Sequence, residues 1–176
     1  MTPEFSRPER VDQIGARERV TSIAASATER AALAHRFGLV ALERLEAEFA
    51  LRAEAGGVVA TGRVTGSVVQ ACSATGEPLP VTIDERVSLR FTQEFGGAEE
   101  EVELSPEVLD TLPIEGGVID LGEAAAETLA LALDPFPRSP GAAATLAAAG
   151  VIGEDEAARE ASPFSGLAAL KQKLEG

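Results

Sequence analysis

Three runs of alternating apolar and polar residues, divided by short breaks rich in Gly and Pro, constrain the possible fold more than any other feature of this chain. Leu45, Ala47, Phe49, Leu51 and Ala53 alternate with Glu46, Glu48 and Arg52. Val58, Ala60, Val64, Val68 and Cys72 share one parity of the next run, and Val81, Ile83, Val87, Leu89 and Phe91 share one face of the third. A period of two sends successive side chains to opposite sides of a strand, so each run has one face to bury and one to leave in water. Gly56-Gly57 and Thr75-Gly76-Glu77-Pro78 supply the turns between runs, and the three together read as an antiparallel meander. Gly62 and Gly66, inside the second run, predict a bulge or bend.

Helical signals flank the meander. Residues 19–25 read as a short strand, and Ser26 with Glu29 has capping-box spacing ahead of a helix through Leu33 and Phe37 that stops at Gly38. Further on, Asp120 can accept the orphan amides of a first helical turn. Glu123 again has capping-box spacing, and Leu121, Ala125, Leu129 and Leu133 share one face. Pro135 and Pro137 end that helix and hold Phe136 and Arg138 on a stiff extended strip, a shape suited to docking. Arg138 either pairs with an acid such as Asp134 or serves as an interface anchor. Between these regions, Gly96-Gly97 and Glu99 to Glu103 predict a loop and a charged edge strand, Ser105-Pro106-Glu107 a helical turn, and 112–119 an extended segment. The predicted fold is α+β: an antiparallel sheet with packed helices over residues 1–138, an Ala/Gly-rich flexible linker over 139–162 and a tethered amphipathic carboxyl-terminal helix over 163–176. Helix is possible around 142–149. The terminal stripe of Phe164, Leu167, Leu170 and Leu174 either folds back on the domain or meets a partner.

Charge narrows the function classes. The net charge is −14, and the arginines and lysines of residues 1–90 nearly balance the acids there. Residues 91–137 hold Glu94, Glu99, Glu100, Glu101, Glu103, Glu107, Asp110, Glu115, Asp120, Glu123, Glu127 and Asp134 with no Lys or Arg. Projected together, these acids attract a basic protein and repel phosphate. With no Trp or Tyr and only 7 Phe, direct RNA binding is disfavoured on charge and on stacking alike. The bland reading of the same acids is a solvated surface that keeps an Ala-rich chain soluble. No stretch reaches the roughly 18 to 20 apolar residues that span a bilayer. The amino terminus, with Glu4, Glu9 and Asp12, lacks the pattern of a signal peptide, so the expected location is cytoplasmic, away from membranes.

Individual residues give little sign of catalysis. Cys72 reads as a small packing residue; display of a thiolate or metal ligand is the alternative, but the chain has no second Cys and its one His, His35, falls in another predicted element. His35 reads as a surface or helix-terminal histidine. No metal or other cofactor is expected. A hydrolase or transferase using two of the many carboxylates is the least favoured reading, because sequence shows no pair whose environments differ.

The order CSATGEP, then an IDLGE-initiated helix running into LDPFPRSPGA, then SPFSGLAALKQKL resembles the YceD family of proteins linked to accumulation of the large-subunit ribosomal RNA. The resemblance is read across nearly the whole chain. It rests on Cys72, Thr75, Glu77 and Pro78; on Asp120, Leu121, Asp134, Pro135, Pro137, Arg138 and Gly141; and on Pro163, Phe164, Leu167 and Leu170. Many members of the family carry further cysteines where this chain keeps only Cys72, so no zinc role is carried over. The resemblance implies a non-enzymatic factor in bacterial ribosome biogenesis. Joined to the charge pattern, it suggests an acidic adapter for a basic ribosomal or assembly protein, with Glu99, Glu100, Glu101, Glu103, Phe136, Arg138, Phe164, Leu167 and Leu170 as partner-binding residues. The alternative is direct recognition of ribosomal RNA precursor through Arg17, Arg19, Arg30, Arg36, Arg63, Arg86 and Arg90.

Overall fold

The computed structural model describes residues 3–93, 110–153 and 157 of the chain. In chain order the elements are β1 (Pro8–Arg10), β2 (Arg19–Ala24), α1 (Ala27–Arg36), β3 (Ala41–Glu54), β4 (Gly57–Ala71), β5 (Pro78–Thr92), β6 (Asp110–Pro113), β7 (Val118–Asp120), α2 (Leu121–Leu131) and α3 (Ala142–Ala148). The chain divides into two compact units, one of Met1–Ala71 with Pro78–Pro137, the other of Cys72–Glu77 with Arg138–Gly176.

The larger unit is α+β. Its main sheet runs β2-β3-β4-β5-β6, and β1 pairs with β7 in a second, two-stranded sheet. Strands β3 to β5 form the antiparallel meander that the alternation predicts, with Phe49 opposite Gly62 and Ala60 opposite Leu89, and β2, joined to β3 through α1, adds antiparallel at its edge. The parity holds as well: Leu45, Phe49, Leu51, Val58, Val64 and Val68 are fully buried, and Ile83, Leu89 and Phe91 nearly so. Completely burying a side chain of this size contributes about 1.5 to 3 kcal/mol. Gly62 and Gly66 make no bulge. β4 keeps unbroken register through both, and the irregularity falls between Leu42 and Arg44 of β3. The two glycines clear space instead, since a Cβ at Gly62 would strike the Glu48 carbonyl and one at Gly66 would lie 2.6 Å from Leu129 Cδ1. The second absence of a side chain lets α2 sit close on the sheet.

β6 departs from a pure meander by pairing parallel to β5, Leu89 beside Asp110 and Phe91 beside Leu112. Alternation reports which face is buried and is silent on strand direction. The predicted extended segment 112–119 is broken by Gly116 and Gly117, both at positive φ, so that its second half becomes β7. The predicted edge strand and helical turn of residues 99–107 lie outside the described residues, as does the predicted terminal helix.

Both predicted helix starts are formed. Ser26 Oγ accepts the Glu29 amide at 3.3 Å, and Glu29 Oε2 accepts the Ser26 amide at 2.7 Å, a complete capping box. At α2 the Asp120 carboxylate accepts the amides of Gly122 and Glu123, but Glu123 does not reach back; it turns to Arg36. Leu121, Ala125 and Leu129 are fully buried against the core, and Phe5 joins them from the amino-terminal segment.

The smaller unit includes the β4–β5 turn and α3, within the stretch read as a linker. Gly76, at φ 72°, donates its amide to the Cys72 carbonyl at 2.8 Å, closing the turn. Ser139, Ala142 and Cys72 are buried there.

Candidate functional site

β5, β6, β7 and α2 bound a groove of about 400 Å³. Phe91, Leu112, Pro113, Val118, Ala124 and Pro3 give it apolar walls, and Glu115, Asp120, Glu123 and Glu127 line it with carboxylates. These acids are not equivalent. Asp120 is consumed by the fold: besides capping α2 it accepts the Ser6 hydroxyl and the Arg7 amide, the latter at 2.7 Å. Glu123 receives both guanidinium nitrogens of Arg36, at 2.7 and 3.0 Å, and Arg36 also holds Glu4 at 3.0 Å. The paired carboxylates raise the Arg36 pKa, Glu123 by hydrogen bonding foremost. Glu115 and Glu127 have no ion-pair partner among the described residues. Glu127 shows the consequence: lost solvation, then repulsion from Glu123, raises its pKa above the ordinary carboxylate value.

The outer face of the main sheet is charged in a different way. Arg44, Arg52, Arg63, Arg86 and Arg90 project there among Glu43, Glu46, Glu48, Glu54 and Asp84, one carboxylate for each arginine. Arg63 pairs with Asp84, Arg52 and Arg90 with Glu54, and Arg44 with Glu46. Asp84 is lowered in pKa by its hydrogen bond from Arg63. Of the arginines considered for RNA, Arg19 is also paired, with Glu9, and Arg30 donates to the Ala25 carbonyl. Arg30 and Arg36 belong to α1, apart from the sheet face that carries Arg63, Arg86 and Arg90. Arg17 and Arg86 form no ion pair among the described residues, but the other five are paired or bonded to the backbone, so the seven do not make one uncompensated patch.

The proline segment is not the extended strip that the sequence suggests: the chain bends at Pro135 and Phe136. Asp134 Oδ1 accepts the Phe136 amide at 2.8 Å, while the Asp134 carbonyl accepts the side-chain amide of buried Gln70 at 2.9 Å. Phe136 is left 71 % exposed, and nearby in sequence Leu131 is 86 % exposed. Arg138 is exposed and forms no ion pair among the described residues. Glu99, Glu100, Glu101, Glu103, Phe164, Leu167 and Leu170 lie outside the described residues. Glu115 and Glu127 belong to the acidic stretch, and no motif marks them within it. A signal for Glu127 was present, because its helical neighbours at three and four positions are Glu123, Ala124, Ala130 and Leu131, none of them a cation.

The family model of the large ribosomal RNA subunit accumulation protein YceD matches residues 60–171, more than half of the chain. The chain belongs to the YceD family. No curated protein and no solved structure matches it. The match opens within β4 and leaves β1, β2, α1 and β3 outside, a shorter reach than the near whole-chain resemblance read from the sequence. It takes in the groove's Phe91, Leu112, Glu115 and Glu127. No helix among the described residues is long and apolar enough to cross a membrane.

The YceD motif residues have structural tasks. Asp120 caps α2 and Leu121 is fully buried behind it; Asp134 shapes the proline segment; Gly141 is the amino-terminal cap of α3. In the turn, the Cys72 amide donates to the Glu77 carbonyl at 2.8 Å. Cys72 Sγ accepts the Ser139 amide at 3.3 Å, and hydrogen bonding from Thr75 first, then from Ser139, lowers its pKa to about 6. The sulfur thus faces donors. Among the described residues no three His, Cys, Asp or Glu side chains gather as a metal site, and one thiol among hydroxyl and amide donors does not fit zinc.

Proposed function

We propose that this YceD-family chain acts in large-subunit ribosomal RNA accumulation as a binding factor and not an enzyme, and that it does so as an acidic adapter for a basic ribosomal or assembly protein. The observation that supports this most is the contrast in charge pairing. The arginines of the sheet are largely answered by carboxylates, whereas Glu115 and Glu127, beside an apolar groove, form no ion pair among the described residues, and the attraction of Arg36 for Glu127 is outweighed by lost solvation and by Glu123. Unneutralised carboxylates beside apolar surface suit a cationic protein and oppose a polyphosphate. The exposed Phe136 and Arg138 supply the kind of side chains that anchor such contacts.

The test is recovery of the tagged chain from lysate at low salt, with and without nuclease. Basic ribosomal or assembly proteins that survive nuclease and leave as salt rises are the expected result. Precursor RNA recovered without any protein would overturn the adapter reading.

A further inference from the structure

We propose that the groove beside α2 receives an arginine side chain from a basic segment of the protein partner, its aliphatic stem on Phe91, Leu112 and Ala124 and its guanidinium between Glu115 and Glu127. This rests on the adapter role above and gives it an address. The argument is one of complementarity. The walls offered by β5, β6 and α2 are apolar, and the available charge lies beside them on two carboxylates, since Asp120 is committed to four donors and Glu123 to Arg36. An apolar ligand would leave the carboxylates unanswered, and a compact ammonium would leave the walls bare. An arginine is apolar along its stem and planar and cationic at its head, with five donors able to serve two carboxylates at once. The one cation close to the pair, Arg36, is bound to Glu123 and Glu4, and its attraction for Glu127 is outweighed by lost solvation and by Glu123. Arg36 shows that this unit can pair a carboxylate of α2 with an arginine of its own, and it does so at Glu123, one helical turn before Glu127.

The probe is a fluorescein-labelled twelve-residue peptide of alternating Arg and Leu, titrated into the full chain at physiological salt and read by anisotropy. Amide shifts of the isotope-labelled chain locate it. Expected results are shifts concentrated at residues 112–118 and 124–127, binding at least tenfold weaker for the Glu115→Gln/Glu127→Gln double variant, and binding within twofold of normal for Asp84→Asn on the outer sheet face. A Lys-for-Arg peptide should bind severalfold more weakly. Equal affinity of the double variant, shifts confined to the outer sheet face, or displacement of the peptide by spermidine at equal charge concentration would each overturn the proposal. If lysate partners are captured normally by the double variant, the groove assignment fails and the adapter role stands. If the peptide occupies the groove but only RNA is recovered from lysate, the adapter role fails and the groove assignment stands.

Discussion

The outer face of the five-stranded sheet and the α2 side of the same unit are both rich in charge, and they spend it differently. On the sheet, most arginines find a carboxylate: Arg63 on β4 pairs with Asp84 on β5, Arg52 with Glu54 on its own strand, and Arg90 on β5 with Glu54 on β3. Beside α2, Asp120 is absorbed by backbone amides, Glu123 by Arg36, and Glu115 and Glu127 remain. A strand face that is solvated and internally neutral has little electrostatic reason to hold a partner. A groove with leftover negative charge does. The amount of charge on a surface is thus a poorer guide to binding than the fraction its own fold has already neutralised.

The sharpest way to break that comparison is at Asp120, which shares the groove but is assigned to the fold. Asp120→Ala removes the acceptor for Ser6, Arg7, Gly122 and Glu123, and should cost about 2 kcal/mol, read as a lower urea midpoint at unchanged slope. Asp84→Ala, on the exposed pair with Arg63, should leave the urea midpoint nearly unchanged. Equal costs would mean that the two surfaces use their carboxylates alike. Arg36→Ala sharpens the comparison from the other side. It frees Glu4 and Glu123, should lower stability by about 1 kcal/mol, and should tighten binding of the Arg-Leu peptide by severalfold, because the groove gains an unanswered charge. Weaker binding would show that Arg36 supports the site and does not merely neutralise its neighbour.

How much of this was legible in the sequence follows from the range of each interaction. The meander was readable because alternation is local and the turns carry their own residues, and both helix starts were readable because a cap lies within three positions of what it caps. Gly62 and Gly66 suggest a bulge or bend in sequence and make no bulge, since the reason for them is distant: the Glu48 backbone for one and Leu129 of α2 for the other. The parallel placement of β6 leaves no trace in alternation. The site was half legible. The acidic stretch was plain from composition, and proline spacing marked the end of α2 but not the bend at Pro135 and Phe136. Which acids remain unpaired depends on Arg36, far away in sequence, which removes Glu123 from the set and leaves Glu127.

The paired and unpaired acids should also respond to pH with opposite sign. Glu29 is held by Arg7 at 2.7 Å and its pKa is lowered to about 2, chiefly by that hydrogen bond. A carboxylate lowered in the folded state adds stability that is complete above its ordinary value near 4.5 and is lost as pH falls toward 2. Glu29→Gln should therefore cost about 1 kcal/mol at pH 7, with the gap to the parent closing between pH 4.5 and 2 in thermal melts.

Glu127 runs the other way, and its effect is the smallest. Its raised pKa means that the charged form is held at a cost in the folded chain, through lost solvation and the nearness of Glu123. Above that pKa the cost is present in full; once acid protonates the group it disappears. Glu127→Gln should accordingly be neutral to slightly stabilising at pH 7, because solvent screens an exposed side chain, and the difference should vanish in acid. The same substitution should weaken the Arg-Leu peptide. A side chain whose removal helps the fold and harms the complex is placed for the partner, whereas one whose removal harms both belongs to the scaffold. If Glu127→Gln instead destabilises the chain at pH 7, the carboxylate has a partner within the fold, and the groove resembles the sheet face after all.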